Sequence, residues 1–350
     1  MSGQFVEIGG LRVDISQFDF SNTSSRVSDI RSANIILITL VVLVVSLRLF
    51  ARAKFVKRVF ADDILIVIAA VFTLALASTC IAATQRGLGT HIWLLPMDTI
   101  FDDVKRCILM LLVCQILYAL AIALTKIAII SSYLRFIQDR SFRIFMYSTL
   151  FVTVGLLVCG IFVTIFQCNP VSGAWEFDAK GSCINYVDYL YASAAVNVFT
   201  DIVLCVLPIP HLWKLNMPLR QRVVLCVLFA GGAGACIAGI VRIAYLDALR
   251  VLDIPYQSVP SLNLSVIECS IGIICVSVPA LRPMITRIFP HTSRATQSSM
   301  PSTKPNHSRS IPLDSFTSGH PRTAKLRSDR DSDTRSLKRL SSVEEGLSPV

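Results

Sequence analysis

Charge is what this sequence has least of. Only 16% of its 350 residues are Asp, Glu, Lys or Arg, against 53% hydrophobic residues, and a mean hydropathy of +0.63 is not sustained by an ordinary soluble domain of this size. A membrane protein with several spans is predicted instead. The first thirty residues also lack the basic, apolar and small-residue succession of a cleaved signal peptide. The first span is therefore expected to insert uncleaved. Catalytic signatures are missing too: there is no HExxH, no Walker-type glycine loop, and no Ser, His and acid at credible positions, so no enzyme is predicted. Histidine is scarce, with five in all, and His91 and His211 are expected on opposite membrane sides, which argues against a multihistidine metal site. The GLGTH segment at 87–91 is too short for a dinucleotide fingerprint. Its glycines suit a turn in an outside loop, where His91 is either a surface residue or a weak ligand contact. No internal repeat and no pair of matching broken helices stands out, which weakens a transporter reading.

What the sequence does have is seven apolar windows, each of about 20 residues, at 34–50, 63–84, 107–132, 144–166, 189–211, 223–247 and 262–281. They predict an all-α bundle of seven transmembrane helices. The connectors after spans one, three and five carry Arg52, Lys54, Lys57 and Arg58, then Arg135, Arg140 and Arg143, then Lys214, Arg220 and Arg222. The alternate connectors carry Asp98, Asp102 and Asp103, then Glu176 and Asp178, then Asp253. Basic loops stay cytoplasmic, so the N-terminus is expected outside and the C-terminus inside. The net charge of +10 would suggest nucleic acid in a soluble protein. Here the basic residues lie in loops and tail and read as topology determinants, so no nucleic-acid partner is predicted.

Three regions follow: an extracellular segment 1–33 with a glycosylation pattern at Asn22, a membrane domain 34–289, and a tail 290–350. The tail is rich in Ser, Thr, Pro, Arg and Asp and has too little apolar surface to order, with a kinase-accessible serine at Ser341 in LKRLSS. The stub PMITRIF at 283–289 is expected at the lipid boundary. Of the eleven cysteines, only Cys168 and Cys183 fall in a loop. A bridge between them would close about 15 residues and contribute about 3 kcal/mol. The alternatives are two unpaired thiols, or pairing with Cys107 at the outer end of span three. In span six, Gly231, Ala235 and Gly239 form one small face at four-residue spacing, which suits close helix packing inside the chain more than a dimer interface.

The stretch from 189 to 215 is apolar enough to span yet carries Asn197 and Asp201, four apart and therefore on one helix face. It exits through Pro208, Pro210, Trp213 and Lys214, residues suited to a cytoplasmic interface. The other embedded polar residues are Lys126, Arg242 and Glu268. Lys126 lies about 13 Å before Arg135, and Asp201 about 18 Å before Trp213, so both fall in the inner half and can meet. Lys126 either pairs there or snorkels to headgroups; Asp201 is either a satisfied structural acid or a proton relay. The same arithmetic sets Arg242 and Glu268 nearer the outside, where Arg242 reaches Glu268 or snorkels outward. Glu268 is the best candidate to line a ligand cavity.

Read in order, ADD at 61–63, GLGTH at 87–91, LTK at 124–126, YLRF at 133–136, QCNPVSGAW at 167–175, Cys183, Asn197 with Asp201, LPIPHLWKL at 207–215, Arg242, Glu268 and PALRP at 279–283 form a specific set. Together they resemble the fungal rhodopsin-domain integral membrane proteins, a group that includes pathogenesis-related receptor-like proteins and the satratoxin-cluster membrane protein. The resemblance covers about residues 34–290. It implies a receptor-like bundle with an extracellular N-terminus, and it favours the Cys168–Cys183 bridge. Residues 1–33 contain no cysteine, where some receptor-like members have a cysteine-rich domain, and Leu264 stands where the group commonly has a tryptophan. Retinal is not implied, because residues 262–281 contain no lysine for a Schiff base. The function expected is a receptor-like protein of the fungal plasma membrane, sensing a small molecule or surface cue and signalling to a heterotrimeric G protein. A small-molecule transporter or accessory membrane protein of a secondary-metabolite pathway is the alternative.

Overall fold

The structure, a computed structural model, describes residues 5–8, 11–14, 23–57, 60–96, 98–176, 181–213, 219–246 and 253–288. The two N-terminal strands and residues 56, 136, 211–213, 219–228 and 282–288 are described as backbone only. Asn22, Ser341, the tail 290–350, and the side chains of Arg58, Asp178, Lys214, Arg220 and Arg222 lie outside the described residues.

A short antiparallel hairpin, β1 (Phe5–Ile8) and β2 (Leu11–Asp14), precedes the helices. The helices are α1 (Val27–Ala51), α2 (Ala61–Ala83), α3 (Ile100–Phe136), α4 (Arg140–Ile165), α5 (Tyr186–Val206), the short α6 (Pro208–Trp213), α7 (Leu219–Leu246) and α8 (Ile254–Ile288). Among the described residues, seven are long and apolar enough to cross a membrane: α1 to α5, α7 and α8. All but α5 outrun their apolar windows, because a charged turn ends a hydropathy window without ending the backbone hydrogen bonding. Asp102 and Asp103, for example, stand in the first turn of α3, where the helix dipole favours them. Likewise α8 begins at Ile254, well before 262, and its backbone stays helical through the 283–288 part of the expected stub. The prolines act where expected: α5 stops at Val206, and Pro208 opens α6 at a position that needs no backbone N–H.

Among the described residues, span seven is the most buried of the seven. In its central stretch α8 is 61% buried, against 22% in α1 and α4, and it packs on α1, α2, α3 and α7. Outward-facing side chains such as Ile36, Leu43, Phe145, Phe151 and Phe162 are large and apolar, as a lipid-facing surface requires. At the end where α1 begins, Ile30, Leu76, Leu88, Cys114 and Val266 make one core. At the opposite end, Ile130, Phe142, Met146 and Leu204 make another.

The small residues of α7 serve contacts within the chain. A Cβ on Gly231 would overlap the Cys275 sulfur of α8, and one on Gly239 would come within 2.8 Å of Val198 on α5. Ala235, between them, is half-buried. The α4–α5 loop is closed by a Cys168–Cys183 disulfide, flanked by two-residue strands, β3 (Cys168–Asn169) and β4 (Ser182–Cys183). Cys107 is a free, buried thiol.

Candidate functional site

A polar network crosses the middle of this apolar bundle. Lys126 of α3 is 2% exposed, so it does not snorkel. Its Nζ lies 2.9 Å from Asp201 Oδ1 and donates to Asn197 O at 2.8 Å, Asn197 Oδ1 at 2.6 Å and Thr200 Oγ1 at 2.7 Å. Three N–H donors facing four oxygens leave the ammonium saturated. Thr200 Oγ1 in turn donates to Asn197 O at 2.7 Å.

Asn197 carries the network onward. Its amide donates to Tyr118 Oη at 2.7 Å and to Glu268 Oε1 at 3.2 Å, while Tyr118 Oη donates to Glu268 Oε2 at 2.9 Å. Depth counted along each helix had set Lys126 and Asp201 apart from Arg242 and Glu268. The structure joins the two pairs, because Asn197 and Tyr118 bridge the intervening distance. Tyr118 and Thr200 were not singled out from sequence. A phenol within an apolar span, which needs a partner when buried, and a hydroxyl between Asn197 and Asp201 were the available signals.

Arg242 of α7 ends the chain of contacts loosely. It is 6% exposed, its Nε is 3.9 Å from Glu268 Oε2, and its guanidinium lies 4.6 Å from the Tyr118 ring centre. It makes no hydrogen bond among the described residues, and its buried Nε is unsatisfied. Arg242 borders a cavity of about 60 Å³ between α3, α4 and α5, whose polar walls include Gln115, Tyr118, Lys126, Thr153, Ser193 and Asn197 and whose apolar walls include Ile122 and Leu156. Glu268 does not line it, contrary to expectation. Its oxygens are turned toward Tyr118 and Asn197, which stand between it and the space.

Two further clusters were not read from sequence. At the end where α1 finishes, Arg48 is 1% exposed and lies 2.8 Å from Asp62 and 2.7 Å from Asp63, the acids that open α2. It also donates to Val276 O of α8 at 2.5 Å. Arg52 and Arg135 lie within 3.4 Å and 3.7 Å of Asp62, and Arg135 stacks 3.3 Å above the Phe60 ring. Asp63 Oδ2 accepts from Phe60 N at 3.1 Å, capping α2. Arg48 lay within the first apolar window, and its four-residue spacing to Arg52, one turn of a shared face, was the missed signal.

At the other end, His91 is buried rather than a surface group. Its ring is stacked between Trp93 and Tyr256, and Nδ1 lies 2.6 Å from Asp253 Oδ2. Ser24 Oγ stands 3.4 Å from Nε2 and 2.8 Å from Tyr256 Oη. Serine, histidine and acid are thus in line, an arrangement that wide separation in sequence had hidden. Gly87 and Gly89 adopt left-handed φ values of 92° and 91°, which let the loop fold back. Gly89 then ties Arg26 N at 2.8 Å to one side and Pro255 O at 3.0 Å to the other, joining the starts of α1 and α8.

Comparison with known proteins agrees with this architecture. The fungal rhodopsin domain matches residues 47–287. The Polyenoic acids biosynthesis gene cluster protein Ba17b of Metarhizium anisopliae is 28% identical over 71% of each chain. An SAT4 family membrane protein of Emericella nidulans is 32% identical over 47% of this chain and 42% of its own. Receptor GIN3 of Arthrobotrys oligospora is 24% identical over 55% of this chain and 47% of its own. No solved structure matches. With seven apolar helices and a domain match over most of its length, the chain is a multi-pass membrane protein of the fungal rhodopsin domain family.

Proposed function

We propose that the protein is a receptor-like sensor that binds a small molecule in the cavity bordered by Arg242 and passes the event through α7 and α8 to its cytoplasmic loops. The observation that carries this reading is a buried cation with unused hydrogen-bond donors, bordering a cavity that mixes polar and apolar walls. The plasma membrane is the expected site, with the N-terminus and the Cys168–Cys183 loop outside and the 290–350 tail cytoplasmic, and a heterotrimeric G protein is the candidate partner. No catalysis is proposed: covered on both faces by Trp93 and Tyr256, His91 serves with Asp253 and Ser24 to clamp the outer loop.

Ligand-dependent nucleotide exchange on a heterotrimeric G protein, measured with the purified chain in liposomes, tests the signalling role. A second reading, transport or an accessory role in a secondary-metabolite pathway, is favoured by the relative named for a biosynthesis cluster. Proton-coupled uptake into the same liposomes, without exchange on the G protein, would select it. Labelling an engineered tail cysteine from outside intact cells would overturn the orientation.

A further inference from the structure

We propose that the cavity binds a small monocarboxylate, held by the guanidinium of Arg242; the proposal rests on the small-molecule reading above and names its ligand class. A guanidinium has five N–H donors in a planar fork, yet this one, 6% exposed, makes no hydrogen bond among the described residues. Glu268 does not satisfy it. The carboxylate is 3.9 Å from Nε, beyond hydrogen-bond reach, and its oxygens accept from Tyr118 Oη and Asn197 Nδ2 instead. The buried Nε left in this state would be satisfied by a partner that enters the space beside it.

The chemistry of that partner follows from the surrounding charges. Lys126, the other cation on the wall, is committed to Asp201, Asn197 and Thr200 and has no donor to spare. Glu268 balances the Arg242 charge from 3.9 Å but takes none of its hydrogen bonds, and the planar fork left free matches the two oxygens of a carboxylate. Hydroxyls of Thr153 and Ser193 border the same space but donate to Thr149 O and Leu190 O on their own helices, which leaves the guanidinium as the cation with donors to offer. A volume of about 60 Å³ admits a ligand of acetate or propionate size.

The test uses the full chain in lipid nanodiscs. Its melting temperature is followed in sodium acetate and sodium propionate, against sodium chloride at equal ionic strength and against acetamide and propionamide. The carboxylates should raise the melting temperature by a few degrees in a saturable way, while the amides and chloride should not. Arg242→Gln should abolish the rise. Arg242→Lys keeps the charge but loses the fork, and should shift the half-saturating concentration on the order of tenfold. Gly160→Val intrudes into the cavity from α4 without altering any charge and should abolish the rise independently, which keeps the test decisive if Arg242→Gln does not fold. A rise unchanged in Gly160→Val would overturn the site. Equal rises from carboxylates and amides, both lost in Gly160→Val, would overturn the charge assignment and leave a small-molecule cavity standing. No rise from either class in a cooperatively folding chain would overturn both.

Discussion

Two buried charge clusters in this bundle hold similar groups in opposite states. Around Arg48, both oxygens of Asp62 and of Asp63 face a guanidinium or a backbone N–H, and one arginine ties α1 to α2 and to the backbone of α8. Around Arg242 the cation is equally buried, but the nearest acid stands off at 3.9 Å and a cavity lies alongside. Burying a charge is offset only by good geometry and full hydrogen bonding. Arg48 itself meets that condition through Asp62, Asp63 and Val276 O, although Arg52 Nε beside it makes no hydrogen bond, and the cluster works as a structural joint; Arg242 meets none of it until something enters.

The sharpest way to break this comparison is at the joint. Arg48→Met strands two adjacent carboxylates whose other cations, Arg52 and Arg135, sit farther off. A loss of about 3–5 kcal/mol is expected, read as a large fall in melting temperature of the solubilised chain. A near-neutral result would show that Arg52 swings in and that the joint is not specific. Next comes Lys126→Met, expected to cost about 3 kcal/mol, since it strands Asp201 together with oxygens of Asn197 and Thr200. Asp201→Asn should cost less, about 1–2 kcal/mol, because Lys126 keeps its other oxygens. The double variant should be more stable than Lys126→Met alone; strictly additive losses would mean that the pair is not coupled.

These clusters also mark how far the fold and site were legible in sequence. Seven spans were readable because apolar runs long enough to cross a bilayer leave few alternatives. The polar residues Lys126, Asn197, Asp201, Arg242 and Glu268 stood out against that background for the same reason. Their connections did not. Rise along a helix gives depth on one helix, but helix tilt and side-chain reach decide what meets what, so Arg242 and Glu268 seemed remote from Lys126. Arg48 was hidden because a single arginine near the end of a span resembles a topology signal. The placement of His91 was hidden because its partners, Asp253 and Tyr256, follow 162 and more residues later.

A smaller effect probes what sets the distance at Arg242. The approach of α7 to α8 depends on Gly231, whose added methyl would overlap Cys275. Gly231→Ala should cost about 1–3 kcal/mol by overpacking. If α7 positions the guanidinium, the same variant should also change the response to carboxylates. Lost stability with an unaltered response would separate packing from binding.

The smallest expected effect is the most informative, because it repeats the first substitution in the second cluster. Arg242→Met removes a guanidinium that carries a desolvation cost and makes no hydrogen bond in return. What is lost is the contact with the Tyr118 ring, worth about 0.5–1 kcal/mol in modest settings, and a distant attraction to Glu268. What is gained is relief from burying the charge, and a Met side chain flexible enough to fill part of the cavity. In the absence of carboxylate these nearly cancel, so the melting temperature should change by less than about 1 kcal/mol would produce. Any residual loss should come from Glu268 left without a counter-charge, and should be recovered in the double variant with Glu268→Gln, whose amide still accepts from Tyr118. Arg48→Met and Arg242→Met thus apply one chemical change to two buried arginines. Equal large losses would show that Arg242 is as fully paired as Arg48, and the distinction between a closed joint and an open site would fall with it.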